Sequence, residues 1–305
     1  HELRLPTNSS MSMNLSDLYT TTRVGWSEDH SADSLKINDN IADEKALLRV
    51  SQHLQRIRTR LNIDMFAKVE SKNNFPMGTG IASSASSFAA LTLAAVTAAS
   101  ETLSEKELSS IARCGSGSAS RSIPSGYVEW HYGETHESSY AETFAEADHW
   151  DLVDVIAIIS REHKKTGSFA GHATADTSIL QKARVDNTNE RLKLVKESIT
   201  KRDFAPFADI VEEDSNLMHS VMMTSRPPLF YWEPLSLEIM TSVRNWREQE
   251  GVQVCYTLDA GPNVHCICVR SDAEKVISKL KSLSDTIDIR QSSAGRGAYV
   301  IEDEY

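Results

Sequence analysis

The sequence predicts two α+β domains, and three observations carry that prediction. Strand-like and helix-like patterns mix in both halves without strict β-α-β alternation, which favours α+β over a doubly wound sheet. A length of 305 residues suits two domains, or one large one. A run from Val153 to Ile159, apolar except for Asp154, reads as a buried strand that opens a second half. The boundary is set just before it, giving domains at 1–148 and 149–305.

The elements follow in order. Met11, Met13 and Leu15 alternate with polar residues, and Tyr19 to Trp26 is rich in Thr, Val and aromatics; both read as strands. Leu35 to Ile37 is a short return strand. Leu47, Val50, Leu54, Ile57 and Leu61 step by three and four, the mark of an amphipathic helix, with Arg56, Arg58 and Arg60 assigned to its solvated face. Met65 to Glu70 is a strand, and Phe88 to Ala99 an alanine-rich helix. Ser104 and Glu107 fit a capping box for a helix running to about Arg113. Tyr127 to Tyr132 is a strand, and the acidic stretch from His136 to His149 an exposed connection. In the second half, helices are expected at Thr174 to Ala183, Glu190 to Thr200, Phe204 to Met223, Leu235 to Trp246 and Asp272 to Leu283. Val252 to Leu258 and Val264 to Val269 form a hairpin-like pair, and Ile287 to Val300 supplies closing strands.

Composition excludes several classes. With 40% apolar and 25% charged residues the chain has the balance of a globular protein rather than a disordered one. A net charge of −11 argues against nucleic acid and anionic membranes as main partners. No apolar run reaches membrane-spanning length, and no secretory signal is visible. Cys114, Cys255, Cys266 and Cys268 form no Cys-x-x-Cys pair, which points to a reducing, cytoplasmic setting. His265, Cys266 and Cys268 raise the idea of zinc, but their alternating run favours buried strand positions, and no metal ligand is assigned. The chain starts at His1 within polar, strand-like sequence, which leads us to expect missing residues upstream.

Three constellations bear chemistry. In Ser71 to Ser87, Gly78 and Gly80 let the backbone turn tightly and approach a ligand. Ser83, Ser84, Ser86 and Ser87 then place hydroxyls in a first helical turn, where unpaired N–H groups and the helix dipole favour an anion such as phosphate. The loop taken alone is explained equally well by a capped core helix; it has neither a Walker Gly-Lys-Ser/Thr ending nor Rossmann glycine spacing. The second constellation is Ser116, Ser118 and Arg121. Its guanidinium fork suits a carboxylate or phosphate, against the alternative of an incidental surface arginine. The third is Asp259, where a strand runs into Ala260-Gly261-Pro262-Asn263. A carboxylate there can orient or deprotonate a hydroxyl, though an isolated Asp at a turn is more often a cap. His172 and His219 are candidates for acid/base work, but each reads rather as an ordinary helix or interface histidine. Together the three parts suggest phosphoryl transfer to a carboxylate-bearing alcohol.

Ser71 to Leu91, Gly115 to Trp130 and Tyr256 to Asn263 also resemble, in that order, three motifs of the GHMP small-molecule kinase superfamily, in its mevalonate-pathway decarboxylase branch. Weaker similarity covers nearly the whole chain. The resemblance implies a GHMP-kinase-like fold, with an N-terminal α/β sandwich domain and a ferredoxin-like C-terminal α+β domain. It implies ATP and Mg²⁺ as cofactors, a phosphorylated mevalonate as small-molecule substrate, and phosphorylation of a 3-hydroxyl followed by decarboxylation to an alkene. By motif, Asp259 would act on the hydroxyl and Arg121 would hold the C1 carboxylate. Ser116 and Ser118 would line the substrate side, and Gly78, Gly80, Ser83 and Ser84 would cradle the ATP phosphates. Family members are often homodimers, so a homodimer is expected by resemblance.

The chain departs from the pattern in places. The family's Lys-Tyr-Trp-Gly-Lys segment, which lies before the stretch like Leu5-Pro6, is absent; Gly78-Thr79 stands for Ala-Ala, and Ser120 for Cys. Between Lys164 and Arg184, where the family binds a 5-diphosphate, this chain reads Gly167-Ser168-Phe169-Ala170-Gly171-His172 and then Thr177-Ser178. That change, with Ala294-Gly295-Arg296-Gly297, keeps a monophosphate substrate as the alternative to 5-diphosphomevalonate. A kinase that stops at the 3-phosphate and an inactive ligand-binding relative are the further alternatives.

Overall fold

The computed structural model describes residues 3–75, 83–160, 171 and 174–301. In chain order the strands are β1 (Ser10–Met13), β2 (Thr20–Ser27), β3 (Ser34–Ile37), β4 (Asn40–Ile41), β5 (Phe66–Asn73), β6 (Tyr127–Trp130), β7 (Ala141–Ala145), β8 (Leu152–Ile158), β9 (Val254–Thr257), β10 (Val264–Val269) and β11 (Asp288–Ser293). The helices are α1 (Glu44–Leu61), α2 (Ser83–Ala98), α3 (Glu105–Gly115), α4 (Gln181–Asp186), α5 (Thr188–Lys201), α6 (Phe204–Thr224), α7 (Pro234–Glu250) and α8 (Ala273–Leu283), with a 3-10 turn at Gly117–Ser122. They divide into two compact units, one of residues 3–75, 83–147 and 295–301, the other of 148–294.

The first unit holds two sheets, ordered β2-β5-β3-β4 and β1-β6-β7. Helices α1, α2 and α3 pack on the larger sheet through Leu54, Ile57, Phe88, Ala95 and Ile111 against Val24, Leu35, Ala67 and Val69. Helix α2 is apolar over most of its circumference because neighbours cover it: Ala89, Leu91, Thr92, Ala95 and Val96 are all buried. Helix α1 begins where the Asp43 side chain accepts the Ala46 N–H at 2.7 Å and ends at Asn62 in the left-handed conformation.

Three readings of this half are corrected. Arg58 is not on a solvated face: it is 8% exposed, its Nη1 and Nη2 donate to the two Asp33 carboxylate oxygens at 2.9 and 3.0 Å, and Trp26 and Phe66 lie within cation–π distance. It sits four residues after Leu54 and so shares that residue's buried face. Within the stretch read as an exposed connection, Ala141–Ala145 forms β7 against β6, and Ala141 is buried. The closing segment is a strand only over Asp288–Ser293; residues 295–301 join the first unit instead. There the Gly295 N–H donates to Asn14 O and the Gly297 N–H to Ser125 Oγ, and a Cβ on Gly297 would lie 2.1 Å from the Ile123 carbonyl oxygen.

The second unit is an antiparallel sheet ordered β11-β8-β10-β9. Its path, strand–helices–strand–strand–helix–strand, gives the ferredoxin-like arrangement with the first strand next to the last. Every residue of β8, a central strand, is buried, including Asp154, the one charged residue in its otherwise apolar run. Helices α7 and α8 cover one face through Ile239, Val243, Trp246, Val276 and Leu280. Cys266 and Cys268 point into that core, fully buried, as ordinary strand residues. The helix expected at Thr174 to Ala183 is interrupted: Thr174 and Ala175 are helical, turns and a bend fill 176–180, and α4 starts at Gln181. No helix among the described residues is long and apolar enough to cross a membrane.

Candidate active site

In the first unit the sequence-predicted groups gather around two helix ends. Gly78 and Gly80 lie outside the described residues. Ser83 and Ser84 open α2, whose first turn holds no acidic side chain to oppose an anion. The four serines divide their work. Ser86 and Ser87 donate to the Ser83 carbonyl oxygen at 3.2 and 2.8 Å, and Ser86 also meets Thr20 Oγ1 at 2.8 Å. Ser84 instead meets the Ser116 hydroxyl, at 3.1 Å.

That meeting depends on how α3 ends. Its start is fixed by the predicted capping box of Ser104 and Glu107. Its last residue, Gly115, lies so close to α2 that a Cβ there would fall 2.1 Å from the Phe88 ring. The next residue, Ser116, is therefore delivered beside Ser84. The chain then tightens into the 3-10 turn carrying Ser118 and Arg121, with Ser120 buried and donating to Gly117 O at 2.9 Å. Arg121 is half-buried. Its Nη1 donates to Ser10 Oγ at 2.7 Å, its guanidinium lies 5.5 Å from the Trp130 ring centroid, and its carbonyl accepts from Asn14 Nδ2. Ser84, Ser116 and Arg121 thus form one polar region on consecutive, mutually anchored elements. Sequence reasoning missed Ser10, Asn14 and Trp130, which gave no local signal of their contacts with Arg121.

In the second unit Asp259 is exposed at the tip of the β9–β10 hairpin. Side chains from elsewhere hold both flanks of its turn. On the entering side, Ser215 Oγ accepts the Leu258 N–H at 3.0 Å and His219 Nε2 lies 3.4 Å from the Leu258 carbonyl oxygen. On the leaving side, Ser236 Oγ donates to Pro262 O at 2.7 Å. Asn263 is 2% exposed, and its Oδ1 accepts the N–H groups of Ile159 and Ser160. Burial pushes His219 down to about 4, against the opposing effects of the Leu258 carbonyl and Asp259, so the ring is neutral at pH 7. On the sheet face away from α7 and α8, His265 Nδ1 meets Asp154 Oδ2 at 2.7 Å. Burial disfavours that imidazolium, yet Asp154, with a smaller effect from Asp259, lifts His265 to about 9. His172 lies outside the described residues, as do residues 164–170 and 173 of the Lys164 to Arg184 segment.

Chemically, the first region offers a helix N-terminus, hydroxyls and a guanidinium, which suit phosphate and carboxylate. The second offers an exposed carboxylate on a turn held at both flanks, which suits a hydroxyl.

Comparison with known proteins assigns the chain. A family model described as the diphosphomevalonate decarboxylase-like N-terminal domain matches residues 1–141. A second, the mevalonate 5-diphosphate decarboxylase C-terminal domain, matches residues 154–301. The diphosphomevalonate decarboxylase mvd1 of Aspergillus fumigatus is 37% identical over 302 residues, covering 92% of this chain and 75% of the relative. A crystal structure of mevalonate diphosphate decarboxylase from Staphylococcus aureus is 35% identical with a TM-score of 0.94, over 99% of this chain and 92% of that one. A structure described as MDDEF in complex with MVAPP, AMPPCP and magnesium is 35% identical with a TM-score of 0.91, over 97% and 91%. With both units matched by one family and relatives covered over most of their length, the chain belongs to the diphosphomevalonate decarboxylase family.

Proposed function

We propose that this protein catalyses the ATP-dependent decarboxylation of 5-diphosphomevalonate to isopentenyl diphosphate, a step of isoprenoid biosynthesis. The observation that carries the reading is the clamped Asp259 turn in a chain whose two units both match this family. The chemistry has one obstacle: a tertiary hydroxide is a poor leaving group. ATP with Mg²⁺ supplies the phosphoryl group that converts it into a good one. The described residues suit that pair: an α2 start with Ser83 and Ser84 and no first-turn acid takes phosphate oxygens, through which Mg²⁺ is usually held with few protein ligands.

In the roles we assign, Asp259 accepts or orients the proton of the 3-hydroxyl, whose oxygen bonds to the transferred phosphorus as ADP leaves. Arg121 holds the C1 carboxylate, with Ser116 and Ser118 beside it. The 3-phosphate then departs with the C–O electron pair. The C1–C2 bond supplies the electrons of the new C=C bond, and C1 leaves as carbon dioxide. Gly78 and Gly80 are assigned with Ser83 and Ser84 to the phosphates. We also assign the protein to the cytoplasm, supported by four buried free cysteines, and expect a homodimer, which sedimentation equilibrium would test.

The test of function is ADP and carbon dioxide release with 5-diphosphomevalonate and, in parallel, 5-phosphomevalonate. Turnover confined to the diphosphate supports the reading; turnover confined to the monophosphate, or ADP release without carbon dioxide, overturns it. Asp259→Asn should lower kcat by about a thousandfold while KM moves little, within the range of a lost general base.

A further inference from the structure

The elements around Asp259 contain a feature that the assigned roles do not use. Among the described residues strand β9 is an edge of its sheet, so its outer N–H and C=O groups face no neighbouring strand there. Helix α6 runs along that edge. Glu212, Ser215 and His219 are spaced by three and four residues and therefore share one helical face. All three are buried. Glu212 Oε1 lies 3.4 Å from the Tyr256 N–H nitrogen, Ser215 Oγ accepts from the Leu258 N–H, and His219 Nε2 faces the Leu258 carbonyl oxygen. The helix face thus stands in for the missing strand. Both backbone polar groups of Leu258, the residue immediately before Asp259, are held by side chains one helical turn apart.

Glu212 and His219 are themselves fixed. Arg247 donates to both Glu212 carboxylate oxygens, at 2.6 and 2.9 Å. The His219 ring sits edge-on to Tyr231, with centroids 6.0 Å apart, and 4.9 Å from Trp232. A neutral His219 with its proton on Nε2 donates to Leu258 O and asks nothing of Asp259 directly.

From this geometry we infer that Ser215 and His219 are positioning residues for Asp259: they fix the peptide planes on either side of Leu258 and so aim the carboxylate that follows. The inference rests on the role assigned to Asp259. A displacement of about 1 Å at a reacting group costs on the order of a hundredfold in rate, so loosening the strand end should appear in kcat rather than in substrate affinity.

The experiment measures kcat and KM for 5-diphosphomevalonate and Mg-ATP in four full-length variants: His219→Ala, His219→Gln, Ser215→Ala and Asp259→Asn. His219→Ala should lower kcat about ten- to a hundredfold with both KM values within about threefold of the parent. His219→Gln, whose amide again offers a donor at the same reach, should recover a large part of that loss. Ser215→Ala should lose about three- to tenfold in kcat by the same route, and it tests the inference if His219→Ala does not fold. A parent-like kcat in both His219→Ala and Ser215→Ala, beside an inactive Asp259→Asn, overturns the positioning role alone. So does a loss in His219→Ala that raises KM in proportion and is not restored by glutamine, the pattern of general structural damage. Full turnover by Asp259→Asn removes the reading of Asp259 itself, and the positioning role with it.

Discussion

The two polar regions of this molecule are built on opposite plans. In the first unit, the groups to which we assign phosphate and carboxylate binding are many and small, on neighbouring stretches of chain: the α2 start, Ser84, Ser116 and the 3-10 turn with Arg121. In the second the role we assign falls on one exposed carboxylate, Asp259, whose turn is held by Ser215 and His219 of α6, by Ser236 of α7 and, through Asn263, by the backbone that follows β8. A shared load tolerates the loss of one hydroxyl, whereas a single carboxylate does not. The thousandfold loss expected for Asp259→Asn is the extreme of that contrast.

Arg121 is the intermediate case, because it is one charged group inside the distributed region. If it holds a carboxylate of the mevalonate substrate, Arg121→Ala should raise KM for that substrate and lower kcat/KM by about a hundredfold, as removal of one member of a charge pair does. KM for ATP should stay within about twofold. The reverse pattern in steady-state kinetics, with ATP affected and mevalonate spared, would move Arg121 to the nucleotide side and break the division drawn above.

Legibility follows the same contrast. The first unit's groups lie in contiguous motifs whose glycines and serines announce a turn and a helix start, so Ser84, Ser116 and Arg121 could be read directly. The turn at Asp259 was legible in the same way, from the Ala260-Gly261-Pro262 that follows it. The clamp was not: Ser215 and His219 look like any polar residues on a long helix until the sheet order makes β9 an edge. Arg58 shows the converse error. Helical periodicity grouped it with Arg56 and Arg60, but burial depends on what lies opposite, and Asp33 supplies a carboxylate from another element. Burial opposes ionisation of Asp33, yet Arg58 and the Ala67 N–H hold its carboxyl below the usual range. Strand β7 was missed because its five residues lie inside a polar, acidic stretch, although all four residues of β6 pair with it across a bulge at Tyr127/Val128. Residues 295–301 were misplaced because sequence order says nothing of which unit a closing segment joins.

The second unit's dependence on long-range pairs also predicts a pH effect confined to it. His265 is raised to about 9 in the folded protein, above its ordinary value. A raised histidine contributes stability that is full below its unfolded pKa of about 6.5 and is lost as pH rises through about 9. Wild-type melting temperature should therefore fall between pH 7 and 10 by about 5 °C more than that of the Asp154→Asn/His265→Gln variant, in which this titration is absent. Parallel melting curves across that window would remove the ion pair from the stability of this unit.

The smallest effect is expected where the distributed plan is most evident. Ser84 and Ser116 share one hydroxyl–hydroxyl contact, at 3.1 Å, and it ties the start of α2 to the end of α3. Either serine replaced by alanine leaves the other half-buried or buried with one partner fewer, while the α2 backbone N–H groups and the other serines persist. Each single change should lower kcat/KM by about tenfold or less, in keeping with about 1 kcal/mol for a neutral hydrogen bond. The double variant should then fall little further than either single one, because both singles already break the same contact; a double-mutant cycle on kcat/KM measures this as a coupling of about 1 kcal/mol. Full additivity would mean that the two hydroxyls act on separate ligands, Ser84 on one and Ser116 on another. The contact between them would then be only how two independent sites rest against each other, and the first unit would hold two regions rather than one.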